Sequence, residues 1–172
     1  MTTGYAIRPA RPGDLPYLGA IEARAGERFV GLVPEEIKAD NVAPAVLADA
    51  AAAGRLFVAE AGNGALVAFA LLILLDDGTA HLEELDVLSE HGRRGVGSAL
   101  VEVACGWAKA QGQPALTLTT YRDVPFNAPW YRRLGFQELG PERISPALRR
   151  VLDLEHAKGL DLAARIVMRR EL

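Results

Sequence analysis

A glycine turn carrying two arginines is the stretch of this chain whose residue types most plainly suit chemistry. It reads Gly92-Arg93-Arg94-Gly95-Val96-Gly97-Ser98. Before it, His81 to Leu88 (HLEELDVL) has strand character, with Leu82, Leu85 and Val87 set among acids. After it, Val96, Leu100, Val103 and Trp107 recur at helical spacing, and Gly112 supplies a stop. Strand, glycine turn and helix start together make a phosphate site. The N–H groups of a first helical turn lack intrahelical partners, and the helix dipole adds partial positive charge there. Glycine lets that backbone approach a pyrophosphate closely, and Arg93 and Arg94 add full charge at the mouth. The same pattern also suits an ordinary strand–turn–helix connection whose glycines serve tight packing.

Two common phosphate motifs do not fit. A Walker loop ends in Gly-Lys-Ser/Thr, and the chain contains no Lys-Ser or Lys-Thr. A dinucleotide fingerprint needs a third glycine where Leu100 stands. The stretch LEELDVLSEHGRRGVGSAL instead resembles the acetyl-CoA-binding motif of the GCN5-related N-acetyltransferase (GNAT) family, Gln/Arg-x-x-Gly-x-Gly/Ala. Gly92 stands at the Gln/Arg position, a departure from the pattern. The loop binds pyrophosphate mainly through backbone amides, and Gly92 still supplies one. A second segment resembles the family's downstream motif, Asn-x-x-Ala-x-x-Phe-Tyr-x-x-x-Gly-Phe. It matches at Asn127, Trp130 (for Phe), Tyr131, Gly135 and Phe136, and differs at Ala128 and Pro129. Both motifs, in order and about 30 residues apart, are far more specific than either alone. The resemblance spans roughly residues 5 to 140 and the last strand.

The resemblance implies a cytoplasmic N-acetyltransferase that uses acetyl-CoA as co-substrate and acetylates a primary amine of a small molecule or peptide by direct attack. The alternative is a degenerate member that binds acyl-CoA as a sensor without catalysis. Such chemistry needs a deprotonated amine, a stabilised oxyanion and a protonated or solvated thiolate. Glu83 stands where spermidine/spermine-type members place their proposed base, and His81 where histone-acetylating members carry theirs. Strand alternation puts Glu84 on the face opposite Glu83 and His81. Tyr131 matches the family's general acid. The backbone of Leu85, Asp86 and Val87 would bind pantetheine like an added strand, with the Val87 N–H as oxyanion donor. Gly92 to Ser98 would bind the pyrophosphate. Asn127 would contact pantetheine and could equally cap the helix it precedes. Cys105 lies off the Val96–Trp107 stripe, so no ping-pong thiol is expected. His91 and His156 read as surface residues without ligand-spaced partners, and no metal is expected.

The remaining elements must hold these residues in place. At 172 residues, with half of them apolar and a net charge of −3, the chain reads as one domain over 1–172. That charge offers no electrostatic case for nucleic acid. The longest apolar run, Ala65 to Leu75, is too short for a membrane span. One cysteine fits a reducing compartment. The pattern predicts strands at Tyr5–Pro9, Arg55–Ala61, Ala65–Leu75, Ala80–Leu88, Ala115–Thr120, Phe136–Leu139 and Ala163–Arg170. It predicts helices capped by Asp14, begun at Pro34-Glu35-Glu36, spanning Ala43–Ala53, following Gly95, capped by Asn127, and inserted at about 145–158 behind Ser145-Pro146. The stretch Ala25 to Leu32 reads as a loop or short helix. The inserted helix is a candidate dimer or acceptor-site element. The fold class is α/β: a six- to seven-stranded mixed sheet with helices on both faces, splayed at its middle strands in the family it resembles.

Overall fold

The structure, a computed structural model, describes residues 4–33 and 41–172. In chain order the elements are β1 (Tyr5–Pro9), α1 (Leu15–Gly26), α2 (Pro44–Ala52), β2 (Leu56–Ala61), β3 (Leu66–Leu74), β4 (Ala80–Val87), α3 (Val96–Ala110), β5 (Ala115–Tyr121), α4 (Ala128–Arg133), β6 (Gln137–Glu138), α5 (Pro146–Ala157) and β7 (Arg165–Glu171). The strands form one seven-stranded sheet, ordered β1-β2-β3-β4-β5-β7-β6. It is mixed: β4 and β5 run parallel, joined through α3, while β1–β2, β2–β3, β5–β7 and β6–β7 are antiparallel. The helix expected at Pro34-Glu35-Glu36 lies outside the described residues. Among those described, no helix is long and apolar enough to cross a membrane. The chain groups into two compact units, Met1–Ile73 with Leu82–Trp107, and Leu74–His81 with Ala108–Leu172.

The first unit is built on β2 and β3. Leu56 to Ala59 and Val67 to Leu72 are buried without alternation, as in strands covered on both faces. Asn63 Oδ1 accepts from the Ala65 N–H at 3.1 Å, and Gly64, at φ +83°, turns the chain between the two strands. Asp14 does not cap α1 as expected. A 3-10 turn, Pro12–Asp14, precedes the helix and turns the carboxylate back. There it accepts from the Arg11 N–H at 2.7 Å and from Arg8 at 2.7 and 3.0 Å, while Arg8 also reaches Glu60 at 2.9 Å. The stretch Ala25 to Leu32 is divided between the end of α1 and a 3-10 turn, Glu27–Phe29.

Helix α3 sits differently from its predicted stripe. Val96 and Leu100 are buried as expected, but the buried face continues through Val101, Ala104, Cys105 and Ala108. Val103 and Trp107 are left half-buried. The physical reason is size: the helix encloses its small side chains, which permit close backbone approach, and keeps the bulky indole at the margin.

In the second unit, β4 begins beside β5 at Ala80↔Leu116 and His81↔Thr117. Strand β7 pairs with β5 from Ala115↔Glu171 to Tyr121↔Arg165. The inserted helix is present as α5. Ser145 Oγ accepts from the Leu148 N–H at 3.2 Å, and Pro146 stands in the first turn. Glu155 of α5 accepts from Arg165 of β7 at 2.8 and 3.2 Å, and also from the Thr119 hydroxyl. Arg165 donates to Thr119 Oγ1 at 3.1 Å and lies over the Tyr121 ring, 4.7 Å from its centroid. The Arg165 and Glu155 side chains are only 13% and 14% exposed, so this pair is largely dry. Asp76 holds the outer side of α5 through Arg150 at 2.6 Å.

Truncating one partner of such a pair strands the other charge away from water. Glu155→Ala is expected to cost about 3 kcal/mol, read as a lower urea midpoint with an unchanged slope. Arg150→Ala, which removes an exposed pair, is expected to cost less than about 1 kcal/mol in the same measurement.

Candidate active site

The glycine turn is formed as a helix entrance. A 3-10 turn, Ser89–His91, leads into Gly92, and α3 begins at Val96. Gly95 holds φ +82°, the left-handed region that glycine occupies at no steric cost, and Arg93 holds φ +57°. Gly97 lies inside α3 in helical backbone, so the conformational demand of the turn falls on Gly95. Arg93, Arg94 and Gly95 are exposed, and Gly97 and Ser98 half-buried. The departure at Gly92 has a local cause. A Cβ there would stand 3.1 Å from the Ser89 carbonyl oxygen, so a larger residue would press on the turn. Early α3 amides, Gly95 in that conformation and two exposed arginines fit a pyrophosphate. His91 is not a bare surface group: its Nδ1 meets the Tyr5 hydroxyl at 2.9 Å.

Strand β4 carries the acids. Glu83 is exposed, Glu84 and Leu85 are half-buried, and Asp86 and Val87 are buried, so simple alternation breaks down. Glu22, on the buried face of α1, takes the Val42 N–H on both carboxylate oxygens at 3.0 and 3.2 Å. Glu84 is held well above the usual carboxylate range, first by burial and then by the charges of Asp86, Glu22 and Glu83. Asp86 is raised as well, by burial and by Glu22, while its hydrogen bond with Glu84 and the charge of Arg28 oppose the rise. Asp86 Oδ2 is enclosed without a hydrogen-bond partner.

The second unit carries His81, Asn127 and Tyr131. Tyr131 is half-buried, edge-on to Trp130 (centroids 4.8 Å apart) and to Phe136 (5.6 Å). Asn127 precedes α4, but its side chain makes no capping bond; its carbonyl accepts from the Trp130 and Tyr131 N–H groups, each at 2.9 Å. The expected second role of Asn127 as a side-chain cap is therefore corrected. His81 is 1% exposed, unlike Glu83, with which it was expected to share a face. Its Nδ1 lies 2.9 Å from Thr117 Oγ1, whose proton goes to the Ala80 carbonyl, so Nδ1 carries the hydrogen. Burial lowers His81 to about 4, with Glu155 opposing and Arg165 adding to the shift. Among the described residues no three His, Cys, Asp or Glu side chains are arranged to hold a metal ion.

The effect of the Glu22 charge on Glu84 and Asp86 escaped the sequence reading. Two signals pointed to it. Glu22 falls on the same α1 stripe as Leu18 and Ile21, and Glu84 and Asp86 lie two residues apart on one strand.

Comparison with known proteins adds a family. The family model described as Acetyltransferase (GNAT) family matches residues 22–136. Three solved structures share the fold at low identity. PaiA N-acetyltransferase from Thermoplasma acidophilum, in complex with coenzyme A, is 17% identical, with a TM-score of 0.74 over 99% of this chain and 100% of that one. Arabidopsis thaliana Naa50, in complex with the bisubstrate analogue CoA-Ac-MVNAL, is 16% identical, with a TM-score of 0.65 over 99% and 100%. The ribosomal-protein-S18-alanine N-acetyltransferase from Escherichia coli is 21% identical, with a TM-score of 0.61 over 97% and 93%.

His81 sets an acid limit on stability. Its folded value lies below its unfolded one, near 6.5, so the unfolded chain takes up the proton first as pH falls. The contribution is complete above the unfolded value and is lost as pH falls through the folded one, amounting to about 3 kcal/mol for a shift of this size. The melting temperature is expected to fall between pH 6.5 and 4, and His81→Asn is expected to flatten that part of the curve.

Proposed function

We propose that this chain, which belongs to the acetyltransferase (GNAT) family, transfers the acetyl group of acetyl-CoA to a primary amine by direct attack. The observation that carries the reading is the Gly92–Ser98 turn. Its left-handed Gly95, its exposed arginines and the amides of early α3 suit the pyrophosphate of coenzyme A. The backbone of Leu85 to Val87 runs on to that turn along β4. In this reading it binds the pantetheine arm, and the Val87 N–H faces the developing oxyanion. Asn127 adds a contact to the same arm.

Amine attack needs a free lone pair, and an alkyl ammonium holds its proton to about pH 10. Glu83, the exposed acid of β4, takes that proton directly or through water. His81 stands outside the chemistry in this reading, since its ring is enclosed and already committed to Thr117. Tyr131 donates a hydrogen bond to the departing thiolate. A phenol at about 10 facing a thiol at about 8.5 makes full transfer uphill by about 2 kcal/mol, so a hydrogen bond suffices. The acceptor is a small molecule or a peptide terminus, and a reducing, cytoplasmic setting agrees with the lone, buried Cys105.

Thiol release from acetyl-CoA, followed across a panel of amines and peptides, tests the reading. An amine that gives stoichiometric thiol and amide supports it, whereas coenzyme A binding without turnover on any amine would leave an acyl-CoA sensor in its place. Gly97→Val sets a branched side chain where the pyrophosphate approaches early α3. Coenzyme A affinity is expected to fall at least about tenfold, with an unchanged far-ultraviolet spectrum. Tyr131→Phe keeps the ring against Trp130 and Phe136 and removes one hydroxyl. Turnover is expected to fall about 100-fold while coenzyme A affinity stays within a factor of a few. An unaltered kcat, measured where chemistry limits the rate, would return Tyr131 to packing alone.

A further inference from the structure

The first position of the glycine turn is short of donors. Gly92 has no side chain where the motif that the turn resembles carries Gln or Arg. Its N–H, expected to serve phosphate, donates instead to the Ser89 carbonyl at 3.0 Å. Helix α3 takes up its first amide at Ala99, which donates to the Gly95 carbonyl at 3.0 Å, so the amides of Val96 to Ser98 remain for a ligand. The side-chain direction at Gly92 points to what stands in for the missing donor. A Cβ built there would lie 3.1 Å from the Ser89 carbonyl oxygen and 4.0 Å from Arg28 Nη1. The space that a side chain at 92 would enter is thus bounded by a guanidinium from a residue more than sixty positions earlier in the chain.

The surroundings hold Arg28 at that place. It stands in the 3-10 turn Glu27–Phe29, half-buried and with its Nε enclosed, whereas Arg93 and Arg94 are exposed. Four residues earlier, Arg24 of α1 pairs with Glu90 of the Ser89–His91 turn at 2.5 Å. The next residue of that turn, His91, meets the Tyr5 hydroxyl at 2.9 Å. The end of α1 and the entrance of the glycine turn are therefore tied at Arg24–Glu90 and run on side by side to Arg28 and Gly92. The acid closest in sequence to the turn, Glu90, is already engaged by Arg24.

Resting on the acetyl-transfer reading, we propose that Arg28 is a further coenzyme A-binding residue, whose guanidinium meets the pyrophosphate beside Gly92 and supplies the side-chain donor that the turn itself lacks. A guanidinium presents its N–H groups in a fixed fork that matches two phosphate oxygens. Held by its buried stem, Arg28 loses less side-chain freedom on binding than an exposed arginine does. Glycine at 92 fits this arrangement, since it leaves the approach to Arg28 open and does not press on Ser89. The competing role for Arg28 is support of the fold alone, through the charge it places near Asp86.

The two roles separate on a ligand series measured by calorimetry: coenzyme A; dephospho-coenzyme A, which lacks the 3′-phosphate and keeps the pyrophosphate; and pantetheine, which lacks both. In Arg28→Gln, affinity for the first two is expected to fall by the same factor, at least about tenfold, with pantetheine affinity unchanged. Arg28→Lys keeps the charge near Asp86 and loses the fork. It serves if Arg28→Gln does not fold, with an expected loss of at least about threefold on the same two ligands. An equal loss on all three ligands would overturn the proposal and return Arg28 to support of the fold. A loss confined to coenzyme A would place the contact at the 3′-phosphate and overturn the pyrophosphate assignment. Unchanged affinities in the folded variants would remove the contact altogether and leave acetyl transfer standing. A wild-type protein that binds neither coenzyme A nor dephospho-coenzyme A would instead overturn the underlying reading.

Discussion

Strand β4 carries Asp86 out of water and Glu84 partly so, and much of the chemistry in this protein depends on that constraint. A carboxylate taken out of water must gain a cation, gain hydrogen bonds or keep its proton. All three answers occur. Asp14 and Glu155 gain arginines. Glu22 gains a backbone N–H, shared between both oxygens. Glu84 and Asp86 are pushed towards their protonated forms, both first by burial, with Asp86 and Glu22 adding to the rise at Glu84 and Glu22 to that at Asp86. The same strand therefore presents an exposed acid with access to solvent and, from one residue further on, two acids whose proton affinity is raised.

Histidine obeys the same constraint with the opposite sign. His81, one turn of the pleat before Glu83, is enclosed and stays neutral, because burial disfavours its cation more than Glu155 favours it. Its hydrogen on Nδ1 is directed by Thr117, which spends its own proton on Ala80. Two groups close in sequence, an acid and a histidine, are thus both pushed towards their uncharged forms by the same cause, burial. The inserted helix α5 contributes to this second case, since its Glu155, with Arg165 of β7, supplies the charges that act on the ring.

Much of the fold was legible from residue pattern. Apolar runs bounded by Gly62-Asn63-Gly64 and Asp76-Asp77-Gly78 marked β2, β3 and the start of β4, because a turn residue has local requirements that no distant contact alters. Ser145-Pro146 marked α5 for the same reason, and the structure shows the Ser145 cap in place. Where pattern failed, a tertiary demand overrode it. Asp14 left its cap for Arg8, a partner six residues back with a charge to satisfy. The buried face of α3 rotated away from Val103 and Trp107 towards Ala104, Cys105 and Ala108, because close packing rewards small residues that a hydrophobicity pattern underrates.

By itself the sequence determined the order of elements, the glycine turn ahead of α3 and the two motifs that mark the family, since each is a property of neighbours along the chain. Only the tertiary structure decided which acids and histidines are dry. Glu83 and Glu84 are adjacent letters, yet one is exposed and the other is raised well above the usual carboxylate range, first by burial, then by Asp86 and by Glu22, more than sixty residues away in the chain. Proton affinity depends on dielectric surroundings and on charges brought near by folding. No spacing rule along one strand encodes either, so the residues that could move a proton were visible as types and became distinguishable as chemical groups only once folding brought the charge of Glu22 to bear on β4.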